Sequence, residues 1–337
     1  MSTATEAAAT DTVAVRPPRW RRRVRRLLIA LVALLTVTTG ASLVFNAVTA
    51  ERAEPPPGLT YVQAADVKTR YRTWGTRGRP VVLVHGAFES ADTWARLAPL
   101  LARDHRVYAL DLTGSGYSAR RGPYTTGHLA SQLLGFLDAM GLTGAGQRPV
   151  LVGHSSGAAV VAEATLRAPG RIGGLLLLDG DALDTGAGSR TPVTRLFIDP
   201  YRTTLLRLAL GSDWLIRTIY ESQCGPACPS LDRAGVDVWR RPYQVAGAER
   251  GVWESVAAGG PGLPADRVAL LRGTGVPASV VFGADDDVFS ADTPAETAAR
   301  VGAPPPTLVP GARHLPMISH PDTVAAAVRA LVARAGR

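Results

Sequence analysis

Six short apolar runs, separated by segments of helical periodicity, are the feature of this sequence that most constrains its fold. Each run is four to six residues long and ends in a loop of small or polar residues. Apolar runs of this length are typical of strands buried on both faces of a sheet. They occupy residues 81–85, 106–111, 150–153, 175–179, 278–283 and 307–310.

Segments with the periodicity of amphipathic helices lie between these runs. Regular alternation of strand and helix predicts an α/β protein with a doubly wound, mostly parallel sheet. Two further strands, residues 59–63 and 67–74, precede the series and are joined by a short turn around Asp66. The helical segments are residues 94–102, 128–140, 158–167, 294–301 and 323–335.

The alternation is interrupted once, between the fourth and the fifth run. Residues 181–272 contain no clear strand, but they hold three of the six tryptophans and both cysteines. We interpret this segment as an inserted, mainly helical cap. The α/β core is then predicted to comprise residues 59–180 and 273–337.

An uncharged, apolar stretch at residues 27–48 follows a cluster of arginines at residues 16–26. As a helix it would extend about 33 Å, and the hydrocarbon core of a bilayer is about 30 Å thick. The arginines predict that residues 1–26 form a cytoplasmic leader and that the chain beyond the stretch is extracytoplasmic. Residues 49–58 include three consecutive prolines and are predicted to be a stiff linker.

Two fates of this transmembrane helix stay open. Small residues at 48–50 and polar residues within 36–42 are typical of a signal peptide that is cleaved before secretion. The length of the apolar run and its long basic leader favour an uncleaved anchor. We therefore expect the rest of the chain to be held on the outer face of the cell membrane.

The composition indicates a folded domain and no nucleic-acid partner. Apolar residues make up 46% of the chain and charged residues only 19%, as in globular proteins with a sizeable core. The net charge is +9, but the residues after Glu54 include 29 basic and 24 acidic side chains, an excess of only five. This small excess gives no basic patch of the kind that nucleic-acid-binding proteins use.

The sequence Gly-His-Ser-Ser-Gly at residues 153–157 joins the third apolar run to an alanine-rich helical segment. A nucleophile at the centre of such a strand-to-helix turn lies in a strained backbone conformation. Small residues two before and two after it allow the turn to close and the helix to approach the sheet. Ser155 is therefore a candidate nucleophile.

A serine nucleophile needs a base that accepts its proton and a carboxylate that orients the base. Of the six histidines, His314 follows the last apolar run, where a loop can bring its imidazole onto the serine. Three consecutive aspartates, Asp285, Asp286 and Asp287, follow the fifth run. The residues alone do not decide which of the three is the acid.

These motifs resemble those of the α/β-hydrolase superfamily. The resemblance extends from about residue 59 to the C-terminus, apart from the cap, and includes the elbow at 153–157 and the loops at 111–118, 283–286 and 314–321. It implies a catalytic triad of Ser155, Asp286 and His314. Asp286 is selected because it stands three residues after Gly283.

The resemblance also implies an oxyanion hole formed by the backbone N–H groups of Ala87 and Ser156, which would face the developing negative charge. No Gly-Gly-Gly follows His85, so this loop is not of the hormone-sensitive-lipase kind. In some relatives the acid follows the preceding strand, where Asp179 stands in this sequence. Asp111 is predicted to order its loop.

Cys224 and Cys228 lie within the predicted cap and are the only cysteines. In an extracytoplasmic domain they favour a local disulfide, and neither a histidine nor a second cysteine pair accompanies them as zinc ligands would. The sequence has no phosphate-binding loop. No cofactor and no metal are predicted.

A serine at the elbow excludes the haloalkane dehalogenases and epoxide hydrolases, which look similar but need an aspartate there. The predicted reaction is cleavage of a small to medium hydrophobic carboxylic ester through an acyl-enzyme. The predicted partners are this small molecule and the cytoplasmic membrane. The alternatives are a peptidase or amidase of the same fold, a cofactor-free perhydrolase, lyase or carbon–carbon hydrolase, and a non-catalytic binding protein. The complete set of triad residues disfavours the last.

Overall fold

The computed structural model describes residues 19–50, 53–144, 147–184 and 198–336. The predicted leader up to residue 18, two residues of the linker and part of the predicted cap, 185–197, lie outside the described residues.

The described strands cover the two predicted hairpin strands and all six apolar runs. They are β1 (Thr60–Ala64), β2 (Val67–Trp74), β3 (Pro80–Val84), β4 (Arg106–Leu110), β5 (Val150–His154), β6 (Gly174–Leu178), β7 (Ala278–Gly283) and β8 (Thr307–Val309). They form one sheet in the order β1-β2-β4-β3-β5-β6-β7-β8. The pairs β1–β2 and β2–β4 are antiparallel and the other pairs are parallel. The predicted doubly wound, mostly parallel sheet is confirmed.

The helices connect the strands and form the insertion. The α-helices are α1 (Arg19–Val48), α2 (Ala98–Leu101), α3 (Thr126–Ala139), α4 (Gly157–Arg167), α5 (Tyr201–Gly211), α6 (Asp213–Cys224), α7 (Arg233–Arg240), α8 (Ala248–Ala257), α9 (Ala265–Ala269), α10 (Thr293–Val301), α11 (Pro316–Ser319) and α12 (Pro321–Ala335). Short 3-10 helices occupy Ala91–Ala95, Pro169–Arg171, Arg241–Tyr243 and Leu270–Thr274.

The prediction of a single helix at residues 94–102 is wrong. The structure has a 3-10 helix there, followed by the single turn of α2. Pro99 lies in the first turn of α2, where its missing N–H is tolerated. In a helix interior the same residue would remove a hydrogen bond and clash with the preceding turn. A helix that contains Pro99 therefore has to begin close to it.

The core lies on both faces of the sheet. Every residue of β3, β5 and β6 is buried, as expected of strands covered on both faces. Alternate residues of β3 face opposite sides: Val82 packs with apolar side chains of α3 and α4, and Leu83 packs with those of α2 and α12. This arrangement fixes the carboxyl ends of the parallel strands, where the polar loops meet.

The helices α5 to α9 form the insertion between β6 and β7. Arg267 of α9 donates hydrogen bonds of 2.7 and 2.8 Å to Glu163 of α4, which ties the insertion to the core. At the end of α6, Cys224 and Cys228 are joined by a disulfide with their Cα atoms 5.8 Å apart.

The N-terminal helix α1 is 30 residues long and begins at Arg19, inside the arginine cluster. It is long and apolar enough to cross a membrane. Only 6% of its most apolar segment is buried within the protein, so this helix is not a core helix of the α/β domain.

Candidate active site

Ser155 stands on a sharp turn between β5 and α4. Its φ is +50°, a left-handed conformation that is strained for a residue with a side chain. The two flanking glycines make the turn sterically feasible. A Cβ on Gly153 would lie 2.5 Å from Gly157 O, and a Cβ on Gly157 would lie 2.5 Å from His85 O.

A chain of hydrogen bonds connects Ser155, His314 and Asp286. His314 Nε2 lies 3.1 Å from Ser155 Oγ, and His314 Nδ1 lies 2.9 Å from Asp286 Oδ2. His314 is buried, with 7% of its surface exposed. The carboxylate of Asp286 accepts a hydrogen bond from Nδ1–H, so the proton of the neutral imidazole stays on Nδ1 and Nε2 is free to accept the proton of the serine.

Of the three consecutive aspartates, the structure places only Asp286 against His314. Asp285 and Asp287 are exposed, whereas the side chain of Asp286 is 2% exposed. Burial alone would raise the pKa of Asp286, but its hydrogen bond with His314 and the charge of that residue lower it below the usual value. Asp286 is therefore ionised at neutral pH.

The loops that carry the acid and the base are in direct contact at Gly283. A Cβ at this position would lie 2.3 Å from Arg313 O and 2.5 Å from Ala312 O. The loop after β7 can therefore approach the histidine loop this closely only because residue 283 has no side chain.

A second carboxylate, that of Asp179, lies close to Asp286 and His314. It is fully buried, and its Oδ1 accepts a hydrogen bond of 2.7 Å from Gly283 N. Burial raises the pKa of Asp179 well above its usual range, and the charge of Asp286 raises it further. This shift favours the protonated form of Asp179. No described donor reaches its Oδ2, so the O–H is available to donate to Asp286.

Asp179, Asp286 and His314 also have the composition of a metal site, with one potential ligand atom each within 4.8 Å of the others. His314 Nδ1 and Asp286 Oδ2 are already hydrogen-bonded to each other. The raised pKa of Asp179 also disfavours the charged form that would bind a cation. The cluster therefore fits a hydrogen-bonded acid and base better than it fits a metal site.

The predicted oxyanion donors, Ala87 and Ser156, line one cavity of about 200 Å³ beside Ser155. Ala87 follows β3 and Ser156 precedes α4, so the backbone N–H groups come from two sheet connections. The rest of the cavity wall is mostly apolar and includes α8 of the insertion. Among its other lining residues are Phe88, Leu112, Tyr124, Leu129, Val252 and Val256.

His85 shapes the loop that carries Ala87. Its Nε2 accepts a hydrogen bond of 3.0 Å from Leu112 N, and its Nδ1 lies 2.7 Å from Gly86 O. Because Nε2 accepts, the proton is on Nδ1, which donates to Gly86 O. Asp111 orders the neighbouring loop, as predicted, by accepting hydrogen bonds of 2.7 Å from Ala91 N and Tyr117 N.

A buried ion pair behind the site was not found from the sequence. His154 Nδ1 lies 2.8 Å from Glu89 Oε1, and Glu89 Oε2 accepts a hydrogen bond from Gly86 N. His154 Nε2 donates to His314 O at 2.8 Å. Burial alone would lower the pKa of His154, but the carboxylate of Glu89 outweighs it and raises the pKa. The pair joins the loop that carries Ala87 to the loop that carries the base.

The sequence signal for this pair is weak. Glu89 stands four residues after the histidine of His85-Gly86, and His154 is the variable residue of the elbow motif. Neither spacing indicates that the two side chains meet, because they lie 65 positions apart, with Glu89 in the loop after β3 and His154 at the end of β5.

Comparison with known proteins agrees with the fold. The model of the alpha/beta hydrolase family matches residues 81–327, so the chain belongs to this family. Over 280 residues it is 25% identical to the pimeloyl-[acyl-carrier protein] methyl ester esterase of Edwardsiella ictaluri, covering 77% of this chain and 95% of that protein.

One further relative matches only a part of the chain in sequence, and one solved structure matches its fold. The chain is 36% identical over 113 residues to the 2-hydroxy-6-oxo-6-(2'-aminophenyl)hexa-2,4-dienoic acid hydrolase of Metapseudomonas resinovorans, covering 32% of this chain and 38% of that protein. This match spans little more than a third of the relative's length. The solved structure of a thermophilic esterase from Thermogutta terrifontis superposes with a TM-score of 0.63 at 22% identity, covering 83% of this chain and 98% of that one.

Proposed function

We propose that this protein is a serine hydrolase that cleaves a small to medium hydrophobic carboxylic ester. The observation that carries the proposal is the chain of hydrogen bonds from Ser155 Oγ through His314 to Asp286. Ser155 lies on a strained turn, and Ala87 and Ser156 line a largely apolar cavity next to it. A non-catalytic protein has no need of this arrangement.

In the first half-reaction, Ser155 Oγ attacks the ester carbonyl carbon while His314 Nε2 accepts the hydroxyl proton. The N–H groups of Ala87 and Ser156 stabilise the oxyanion of the tetrahedral intermediate. His314 then returns the proton to the leaving alkoxide, which departs as the alcohol and leaves an acyl-enzyme on Ser155.

In the second half-reaction, water takes the place of the alcohol. His314 accepts a proton from the water, whose oxygen attacks the acyl carbon, and the proton passes to Ser155 Oγ as the acid leaves. Asp286 holds the imidazole in one orientation and stabilises its charged form in both steps.

An ester is favoured over an amide because an alcohol leaving group needs less protonation than an amine. The methyl ester esterase that aligns with most of this chain supports the same choice. Carbon–carbon bond hydrolysis is the second candidate. It is favoured by the identity of 36% to a dienoic acid hydrolase, which is confined to a part of the chain.

We also propose that α1 anchors the protein in the cytoplasmic membrane, with the α/β domain on the extracytoplasmic side. The arginine cluster at the start of the helix and its exposed apolar surface support this orientation. The disulfide between Cys224 and Cys228 supports an oxidising compartment.

Labelling with a fluorophosphonate probe and turnover of p-nitrophenyl esters test the proposed chemistry. The wild-type protein should be labelled on Ser155, and Ser155→Ala should abolish labelling and lower kcat by about 10⁶-fold. Because each buried methylene contributes about 0.8 kcal/mol until the cavity is full, kcat/KM should rise from acetate to a medium-chain ester and then fall.

Other outcomes would select among the alternatives. A clear preference for aminoacyl amides would favour the peptidase, and turnover of a dienoic acid without ester cleavage would favour the carbon–carbon hydrolase. Absence of labelling in the folded wild-type protein would exclude the serine hydrolase.

A further inference from the structure

The outer end of α1 is bound to the insertion through a row of polar side chains. Thr38, Ser42 and Asn46 are spaced four residues apart and share one face of the helix. Ser42 Oγ lies 2.8 Å from Thr204 Oγ1 of α5, which donates a hydrogen bond of 2.9 Å to Asn46 Oδ1. Thr38 Oγ1 lies 3.3 Å from the hydroxyl of Tyr201.

An arginine of α5 connects this helix pair to a further helix of the insertion. The guanidinium of Arg207 donates to Asn46 O and, at 3.2 Å, to Thr49 Oγ1. It also donates to Glu249 of α8 at 2.8 Å. The end of α1, α5 and α8 are therefore held together by hydrogen bonds that involve both side chains and main chain.

The position of these contacts along α1 determines how deep α5 lies relative to the membrane. Thr38 and Asn46 lie about 17 and about 29 Å from Leu27, at about 1.5 Å per residue. If the apolar stretch that begins at Leu27 crosses about 30 Å of hydrocarbon, the start of α5 lies level with the extracytoplasmic leaflet. Tyr201, the first residue of α5, then lies near the middle of the bilayer, and the start of the insertion is embedded in that leaflet.

The insertion presents apolar side chains on the outside, as this position requires. Trp214 is 73% exposed, and tryptophan is enriched at membrane–water interfaces. A soluble surface carries scattered apolar side chains, but here they are concentrated on and around the helix that contacts α1. On and around α5 the exposed residues are Ile198, Leu205, Leu208, Trp214 and Ile219, and elsewhere in the insertion they include Val238, Val256 and Leu270.

A cavity of about 390 Å³ lies between the end of α1 and the insertion. Phe45 and Thr49 line it from α1 and Leu208 lines it from α5, and the ion pair of Arg207 and Glu249 forms a polar part of its wall. Tyr243 is also part of the wall. Tyr243 lines the cavity beside Ser155 as well. The hydroxyl of Tyr243 is buried and has no hydrogen-bond partner among the described residues. The ring of Tyr243 lies between the two cavities, and no hydrogen bond of its hydroxyl fixes it there.

We propose that the substrate is a lipid ester taken directly from the extracytoplasmic leaflet. Its chain enters between the end of α1 and α5, passes Tyr243 and reaches Ser155 without crossing the aqueous phase. This proposal rests on the proposed hydrolase function and names the source and class of the substrate.

The test compares a membrane-resident ester with a water-soluble ester that has the same leaving group. The full chain is reconstituted in vesicles of phosphatidylcholine and phosphatidylglycerol, and the turnover of p-nitrophenyl decanoate and of p-nitrophenyl acetate is measured. Leu208→Glu should lower the decanoate-to-acetate ratio of kcat/KM by about tenfold or more, because it places an unpaired carboxylate on the apolar side of the cavity wall, where it opposes passage of a chain. Leu205→Glu, on the same helix and exposed outside the cavity lining, should lower the ratio in the same direction by weakening contact with the bilayer.

Leu308→Glu is the matched control, because Leu308 is 51% exposed, close to the 53% of Leu208, but lies on the edge strand β8. It should leave the ratio unchanged. An unchanged ratio in both α5 variants, or an equal fall in Leu308→Glu, would overturn entry from the membrane while acetate turnover still supported the hydrolase. Absence of both acetate turnover and fluorophosphonate labelling in the wild type would overturn the hydrolase itself.

Discussion

At the scale of single residues, the pKa values of the two carboxylates beside His314 are shifted in opposite directions. The hydrogen bond with the imidazole favours the ionised form of Asp286, and complete burial favours the neutral form of Asp179. Only the ionised group can stabilise the imidazolium that forms during catalysis. The neutral group can act on the base only through Asp286.

This difference predicts contrasting effects of the same substitution at the two positions. Asp286→Asn should lower kcat by about 10⁴-fold, because an amide cannot stabilise the charged imidazole. Asp179→Asn should lower kcat by no more than about tenfold, because an amide replaces a carboxylic acid of the same shape without loss of charge. Asp285→Asn and Asp287→Asn, at exposed positions, are the controls. A loss at either of them equal to that expected for Asp286→Asn would show that another aspartate is the acid.

The buried pair of Glu89 and His154 makes a second prediction. Removing one charged partner leaves the other buried and uncompensated, so Glu89→Gln and His154→Gln should each destabilise the fold by about 3–5 kcal/mol. The double variant should be less destabilised than the sum of the two, because no buried charge remains. Chemical denaturation followed by tryptophan fluorescence measures both, and strictly additive losses would contradict the ion pair.

At the scale of elements, the contact between α4 and α9 depends on the ionisation of Glu163. Arg267 and Arg167 each donate to its carboxylate at 2.7 Å. Burial alone would raise the pKa of Glu163, but these hydrogen bonds lower it below the usual value. The interaction therefore stabilises the fold above the pKa of the unfolded chain and is lost as the pH falls through the folded pKa.

Glu163→Gln should accordingly destabilise the protein by about 2 kcal/mol at pH 7, since hydrogen bonds to a charged group are lost. The difference from wild type should shrink below about pH 4, where the carboxylate of the unfolded chain is protonated. Glu296→Gln is the control, because its side chain is 64% exposed and 3.8 Å from Arg300. A pH-independent difference for Glu163→Gln would contradict the assigned ionisation.

At the scale of the whole molecule, the arginine cluster and α1 predict how the protein is oriented in the membrane. Protease added to intact spheroplasts should digest the α/β domain and leave the cytoplasmic leader protected. A protected domain would contradict the orientation. A freely secreted product that begins near residue 51 would replace the anchor with a cleaved signal peptide.

The contacts of α1 bear on the same choice between anchor and signal peptide. In the sequence, the polar residues within 36–42 are typical of the weakened apolar core of a signal peptide. In the structure, Thr38 and Ser42 form hydrogen bonds with residues of α5. Cleavage after α1 would remove these bonds. Their function in the folded protein therefore favours an uncleaved helix.

The parallel sheet, the elbow at Ser155 and the candidate base His314 could all be predicted from the sequence. These features depend on short-range patterns: apolar runs of strand length, glycines two residues from a nucleophile, and a histidine after the last strand. Such patterns act through local backbone geometry and burial, so they are visible without knowledge of the fold.

The contacts between distant side chains are visible only in the folded protein. The structure places against His314 the aspartate that the family resemblance implied, Asp286, although the residues alone left three candidates. It also brings Glu89 to His154 and pairs α1 with α5, and no sequence pattern predicted either contact. Each of these contacts joins residues far apart in the chain and depends on packing that the sequence pattern does not specify. The raised pKa of Asp179 has the same origin, because burial and a neighbouring charge, rather than residue type, set it.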